Sequence, residues 1–350
     1  MALLKERFFD GMRGNGISDD VGEQIWHKLA AFANYGFPES HSVSFSYLVY
    51  ASSWIKFHYP AAFCAALLKA QPMGFWSPHT LVGDARRHGV VVRTPDLNAS
   101  SATATLEPTG SHHGLTDPDA PAVRLCIDYV RGIGADLAEM IDAGRPYTSI
   151  EDLRRRVPSL SLANLEALAT AGVFGCFGVD RRSALWTAGA MSQTAADRLP
   201  GIVTGTEAPT LPGMSPEELA HADLWATGIA PGGHPTAFLR RNLTQRGVVT
   251  SADLVDRPAG GKVLVGGVVT HRQRPATAGG TTFLNLEDET GLVNVVVSSG
   301  CWTRHAKEAR GAPALLVRGR LEKAEGVINV IAERLEPLPV GPVPTARDFR

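Results

Sequence analysis

The stretch "YVRGIGADLAEMI", residues 129–141, decides how the chain is read. Gly132 and Gly134 flank Ile133, with helical patterns on either side. A glycine inside a helix costs about 1 kcal/mol relative to alanine, so the pair marks a break. The pattern predicts a short helix ending near Val130, a tight turn, and a second helix from about Ala135. That is a helix-hairpin-helix element. In such a turn the amide N–H groups and the positive end of the second helix face outward together, which suits an anion such as a DNA phosphate. A side chain at either glycine would hold the phosphate away, and a positive φ would cost a residue with a Cβ roughly 1–2 kcal/mol. Ile133 plugs the turn into the core, and Arg131 can add to the phosphate contact. These residues alone equally allow a tight interhelical turn with no ligand.

Toward the C-terminus, "SIEDLRRRV" (149–157) reads as a capped helix bearing Arg154, Arg155 and Arg156. "SLANLEALATAGVFGCFG" (161–178) adds a helix ending at Gly172, with the pattern of a second, degenerate hairpin. Paired hairpins grip duplex backbone without reading sequence, which makes Arg154 and Arg155 candidate contacts. The alternative for an arginine run is a solvated face.

Toward the N-terminus, residues 18–88 read as helices. "SDDVGEQIWHKLAAFA" places Asp20 three residues before Glu23, then a stripe of Ile25, Leu29 and Phe32. "PAAFCAALLKAQ" is apolar nearly all round and should be buried. "SPHTLVGDARRHG" has Ser77 at the cap, Pro78 in the first turn and Gly89 after the last. Residues 99–121 are poor in apolar residues and read as a loop or insertion. Residues 192–258 read as a linker with short helices, one of them opened by Ser215, Pro216 and Glu218.

From Lys262 the period changes. "KVLVGGVV", "TTFLNLED", "GLVNVVV", "ALLVRGRL" and "GVINVIAERL" are short β-rich runs separated by glycine-containing turns. One helical stretch follows the third run, which is the order of an OB-fold barrel. OB barrels take single strands by stacking and backbone charge. The candidates are Arg272, Arg274 and Phe283 around the Gly279-Gly280 loop, and Arg318 with Arg320, which share one face of the fourth strand. Phe283 fits the core better than a stacking position. The arginines fit either DNA contact or simple solvation. The Pro-rich tail, 341–350, should be extended.

The fold class is therefore multidomain, with all-α regions followed by a small β-barrel. Composition agrees with a globular protein: 44% hydrophobic and 20% charged, with no apolar run near the ~20 residues of a membrane span. The net charge of −1 gives no bulk signal for nucleic acid, so any such surface must come from local arrangement. Four separated cysteines, with no C-x-x-C pair, suit reduced thiols in a cytosolic protein rather than a disulfide frame or a zinc site.

"FANYGFPESHSVSFSYLVYASSWIKFHYPAAFCAALL" resembles the fingers of the bacterial C-family DNA polymerases, the alpha subunit of DNA polymerase III. "YVRGIG…ALATAGVFGCFG" resembles that family's tandem helix-hairpin-helix domain, and "VLVGGVVTHRQRP…FLNLEDETGLVNVVV" its OB domain. "TGIAPGGHPTAFLRRNL" also fits the stretch before the OB domain. "YGFPESH" and "SSWIKFHYPAAFCAALLKAQPMGFW" are most similar to the error-prone, damage-inducible branch. The resemblance implies fingers at 1–98, tandem hairpins at 122–191 and a barrel at 259–340. It offers Ser40, His41 and Lys56 as nucleotide or DNA contacts, the first two at a helix start where Ser40 would otherwise serve as a cap. Replicative relatives tend to carry Lys where Glu39 stands, which weakens a nucleotide contact there.

The resemblance also sets the expected chemistry. The family's two-metal site belongs to palm aspartates upstream of the fingers. The chain is therefore expected to hold no catalytic or metal residues, to need no cofactor of its own, and to be inactive alone. Magnesium would belong to the complete polymerase through its palm. "DPD" at Asp117–Asp119 is too isolated in a polar loop to serve. No sliding-clamp motif stands out: Gln193 is followed by Thr194, Ala195 and Ala196. Implied partners are DNA, both duplex and single-stranded, and the palm or other proteins of a mutagenic complex, in the cytoplasm. A second reading is a non-catalytic docking module. A third is a tRNA-binding barrel, since "LEDETG" resembles synthetase barrels; the hairpins argue against it.

Overall fold

The computed structural model describes residues 2–34, 39–109, 120–191, 207–341, 343 and 346–349. By their contacts the residues fall into two units, Met1–His58 and Tyr59–Arg350.

The first unit holds α1 (Ala2–Gly14), α2 (Asp19–Asn34) and α3 (Glu39–His58). Phe9 is buried there and Phe8 tilts against Trp26. Gly22 of α2 passes so close beneath the Phe9 ring that a Cβ would lie 2.9 Å from it. Arg13 grips Asp19 with two hydrogen bonds, at 2.9 and 3.1 Å. The apolar stripe of α2 is only partly covered, since Ile25 and Leu29 stay exposed. α3 exposes Val43, Phe45, Tyr47, Val49, Trp54 and Phe57.

The second unit begins with α4 (Pro60–Lys69) and α5 (Pro78–Arg87). Both start with proline in the first turn, and Ser77 caps α5 by accepting the Thr80 N–H at 3.2 Å. α4 is buried through Ala61, Cys64, Ala65 and Leu68, in one cluster with Val82, Val123 and Leu125. A small sheet follows, of β1 (Val92–Arg93), β2 (Thr105–Glu107) and β3 (Ala122–Arg124), in the order β1-β3-β2. This corrects the loop expected over 99–121. Composition hid β2 because its anchor is ionic: Glu107 accepts from Arg124 Nε at 2.9 Å and from Arg93 at 2.5 Å. Residues 110–119, with Asp117 and Asp119, lie outside the described residues.

A 3-10 turn (Ile127–Tyr129) leads to α6 (Ala135–Ala143), α7 (Ile150–Arg156) and α8 (Leu162–Ala171). A second 3-10 turn (Val173–Phe177) leads to α9 (Arg181–Met191). Ile127, Ile133, Ile141, Leu153, Leu165 and Phe174 form one core. Each such apolar side chain contributes roughly 1.5–3 kcal/mol when fully buried. α10 (Pro216–Thr227) and α11 (Pro235–Gln245) then approach the barrel. Ser215 and Glu218 make the expected capping box on α10. The stretch 192–206, with Gln193, lies outside the described residues.

The barrel comprises β4 (Lys262–Gln273), β5 (Thr282–Glu287), β6 (Leu292–Val297), α12 (Ser299–Arg304), α13 (Ala306–Gly311), β7 (Ala314–Ala324) and β8 (Val327–Pro337). The strand order β5-β6-β8-β7-β4 is closed by β4 pairing with β5. β4 reaches both neighbours because its register shifts between Val269 and His271. Near the C-terminus Arg347–Phe349 forms β9, parallel to β4 at His271–Gln273. Among the described residues no helix is long and apolar enough to cross a membrane.

Candidate nucleic-acid interface

The two glycines of the hairpin differ. Gly132 has φ +77, and a Cβ there would lie 3.0 Å from Asn164 Nδ2. Asn164 donates from Nδ2 to the Gly132 carbonyl at 2.8 Å while its Oδ1 accepts the Ser161 N–H at 2.9 Å. The start of α8 thus braces the turn from behind. Arg131 N–H donates to the Ala226 carbonyl of α10 at 2.7 Å, a second brace. Ile133 is buried, the plug the spacing predicts.

Gly134 has neither internal role. Its φ is −84, which any residue adopts, and a Cβ would meet nothing within 4 Å. It is the N-cap of α6, and no side chain among the described residues caps that helix start. The first N–H groups of a helix lack intrahelical acceptors, so α6 presents open donors and a positive helix end. Asp136 in the first turn is exposed and opposes an incoming anion. Arg131 lies over the Trp225 ring, 4.6 Å from its centroid, a cation-π contact that holds the guanidinium beside the turn.

The arginine run of α7 is turned to other uses. Arg154 donates to the Pro158 carbonyl at 2.8 Å, and Arg155 pairs with Glu151 at 3.4 Å. Arg156 donates to the Pro146 carbonyl at 2.9 Å and to the Gly144 carbonyl, and lies 4.6 Å from the Tyr147 ring centroid. Arg156 thus fastens the end of α6 to α7, while Arg154 and Arg155 bond within α7 and the turn that follows it.

In the second hairpin the start of α9 is already occupied. Asp180 accepts the N–H groups of Arg182 and Ser183 at 3.0 and 3.1 Å and the Ser183 hydroxyl at 2.6 Å. These bonds, the Ser183 hydroxyl first, hold its carboxyl below the usual range. A Cβ on Gly172, φ +79, would lie 2.8 Å from Arg181 Nε, and Arg181 itself pairs with buried Asp223 at 2.6 Å.

The barrel candidates lie on two walls. Arg272 is largely buried, donating to the Ala309 carbonyl at 3.0 Å and to Asp348 at 3.3 Å, so it ties α13 and β9 to β4. Arg274 is exposed and sits 5.1 Å from the Trp302 ring centroid. Phe283 points outward at 38% exposure, which overturns the core position expected of it. It alternates on β5 with buried Thr282 and Leu284. Arg318 and Arg320 are exposed on one face of β7, as the alternation predicts. β7 pairs with β4 and β8, so these two are separated from the β5–β6 face.

That face holds two residues the sequence reading missed. Asn285 is two residues from Phe283 on β5, opposite Asn294 of β6, and donates to it at 2.8 Å. Phe283 with two amides makes an aromatic and hydrogen-bonding surface. Period-two spacing from Phe283 could have found Asn285; Asn294 needed the register.

In the first unit, Ser40 falls inside the first turn of α3 rather than at its cap, since the helix begins at Glu39. His41 packs its ring against Phe45 with centroids 4.4 Å apart. Lys56 is in the last turn, about 23 Å along the axis from His41 at 1.5 Å per residue. α3 does not bring them together. Among the described residues no group of three or more His, Cys, Asp or Glu could hold a metal ion.

A braced hairpin with an open helix start, followed by a closed five-stranded barrel, defines a nucleic-acid-binding class of protein. A helix-hairpin-helix motif family matches residues 89–184, and an OB-fold nucleic acid binding domain family matches residues 263–338. Over its whole length the chain is homologous to error-prone DNA polymerases. It is 56% identical to the error-prone DNA polymerase of Mycolicibacterium paratuberculosis, covering 100% of this chain and 32% of that protein. Identity to the error-prone DNA polymerase of Mycobacterium tuberculosis is 54%, over 100% of this chain and 31% of that protein. The chain thus spans about a third of the length of these curated relatives. Among solved structures, asparaginyl-tRNA synthetase from Pyrococcus horikoshii matches 27% of this chain and 23% of its own at 24% identity, with a TM-score of 0.23.

Proposed function

We propose that this chain is the DNA-holding part of an error-prone DNA polymerase serving damage tolerance in the cytoplasm. The first hairpin holds duplex backbone, and the β5–β6 face of the barrel takes single-stranded template. The observation that carries this is Gly134: the start of α6 bears no side chain, and the space a Cβ would take is open. Glycine is itself among the favoured N-cap residues, and at this turn it also leaves the helix start clear for close approach by an outside group. The arginines of α7 and Arg272 contribute through structure, and Arg131, Arg274 and Phe283 are the exposed contacts. Arg318 and Arg320 form a separate basic strip. Phosphoryl transfer on two metals belongs, in this reading, to the palm of the complete polymerase. The exposed apolar side chains of α3 favour cover by that palm or by another protein of a mutagenic complex.

Duplex binding should be independent of sequence, and three or four neutralised phosphates give a log–log salt slope of roughly −3 to −4. Gly134→Ala tests the hairpin. The Cβ meets open space in the free protein, so stability should fall only by what alanine costs against glycine at an N-cap, under about 1 kcal/mol. Duplex affinity should fall by about tenfold, the loss of roughly one charge-assisted hydrogen bond. Unchanged affinity removes the phosphate seat. For the barrel, Phe283→Ala should cost roughly 1–3 kcal/mol of single-strand affinity if a base stacks there. An outward ring predicts little loss of thermal stability; a large drop in melting temperature would instead assign Phe283 a packing role.

A further inference from the structure

β4, β7 and β8 lie side by side in the barrel, with β7 between the other two. Their register sets Lys262 of β4 directly opposite Arg320 of β7, and Arg318 of β7 directly opposite Arg334 of β8. Successive side chains of a strand alternate between its faces. Val263, Val317, Gly319 and Leu335, the neighbours of these residues, are buried inside, so all four cations share the outer face, and all four are exposed. Like charges directly opposite one another on paired strands are destabilising. This face carries two such pairs in adjacent rows, roughly 7 Å apart along β7.

Acids offset little of this charge. Arg334 pairs with Glu336 of its own strand at 2.9 Å. Glu322, the next outward residue of β7, faces Asn329 and marks the end of the strip. Among the described residues no carboxylate pairs with Lys262, Arg318 or Arg320. The chemistry of the face narrows what can neutralise them. None of β4, β7 and β8 contains Phe, Tyr or Trp. Sites for single strands combine charge with rings on which unpaired bases stack, as the Phe283 face does, and this face has charge alone. Duplex DNA keeps its bases in its own stack and presents a dense row of phosphates. Guanidinium forks match phosphate oxygens. β7 is hydrogen-bonded on both sides, so an extended acidic peptide finds no strand edge to join.

We propose that the outer face of β4, β7 and β8 is a second duplex contact, in which Lys262, Arg318 and Arg320 hold the phosphodiester backbone by charge and without reading sequence. The proposal rests on the DNA-holding reading above but uses neither the hairpin nor the Phe283 face. A bound phosphate row relieves the repulsion across the strands, so pairs that cost stability in the free barrel contribute to affinity in the complex.

The test is binding of the whole chain to a short duplex and, separately, to a single strand of the same length, over a range of salt. Arg318→Gln combined with Arg320→Gln should weaken duplex binding by about tenfold and flatten the log–log salt slope by about two, while single-strand affinity changes by less than about twofold. Removing one member of each like-charge pair should leave the melting temperature level or raise it. Lys262→Gln should flatten the slope by about one and serves should the double variant fail to fold. Unchanged duplex affinity and slope in a folded variant overturns the proposal. An equal loss for the single strand also overturns it, by making the strip part of the single-strand path. Binding of a polyglutamate peptide that duplex does not displace overturns it too, by assigning the strip to an acidic protein. The slope change should appear equally in a Gly134→Ala background, so failure of the hairpin reading is seen separately.

Discussion

α6 and α9 each open the second half of a hairpin, yet they start in opposite ways. At α6 the N-cap is Gly134, with no side-chain cap and open space where a Cβ would be. At α9 the preceding residue is Asp180, whose carboxylate accepts two backbone N–H groups and a hydroxyl. The same helix-end electrostatics act on both. In one hairpin the positive end is left for an outside anion; in the other the chain supplies its own. The turns differ in the same sense. The Gly132 turn is braced from behind by Asn164, and its outer side is clear. The Gly172 turn backs onto Arg181, which is committed to Asp223. Of these two helix starts, only that of α6 is left open.

Three substitutions put this asymmetry at risk. The largest effect should come from Gly132→Val. A β-branched residue at φ +77 must also displace Asn164, and a loss of roughly 2–3 kcal/mol in urea unfolding follows from strain plus the broken brace. If stability is unaffected, the turn is not under the constraint described.

Next is Asp180→Ala. Losing a cap of this kind costs about 1 kcal/mol, measured as a lower urea midpoint, while duplex affinity stays level. A rise in affinity, with the emptied helix start taking a phosphate, would mean that the second hairpin also faces DNA. The smallest effect belongs to Asp136→Asn, which removes the one acid in the first turn of α6. Relieving its repulsion of a phosphate should strengthen duplex binding by about two- to fivefold, in line with roughly 0.3–1 kcal/mol for a charge at a helix end. The gain should shrink as salt rises. Weaker binding in this variant would place the anion elsewhere.

The barrel shows where periodicity misleads. Alternation placed Arg318 and Arg320 correctly on an outer face, because the register shift between Arg318 and Gly319 puts its extra residue, Glu333, on β8 and leaves the alternation of β7 intact. Arg272 follows the register shift between Val269 and His271, and beyond that shift its guanidinium turns onto α13 and β9. Phe283 was expected inside because aromatic residues in strands usually pack, but its parity relative to Leu284 puts it outside.

The sequence by itself determined what depends on neighbours a few residues apart. The caps at Ser77, Ser149 and Ser215, the glycine break at 132–134, and the strand–strand–strand–helix–strand–strand order were all legible, because capping, left-handed φ and period-two alternation are local. It could not decide which charged side chains remain available. Arg154, Arg156 and Arg272 are committed to carbonyls, and nothing in a residue's own neighbourhood announces such a partner. Nor could it show that Arg318 and Phe283 lie on different walls, since strand order is a long-range property. The pair His79 and His234 is the extreme case: the two imidazoles are 155 positions apart in the chain, and only packing of α5 against the turn before α11 brings their rings together. Local propensity fixes the elements, while desolvation and pairing between distant elements fix which polar groups are left to act.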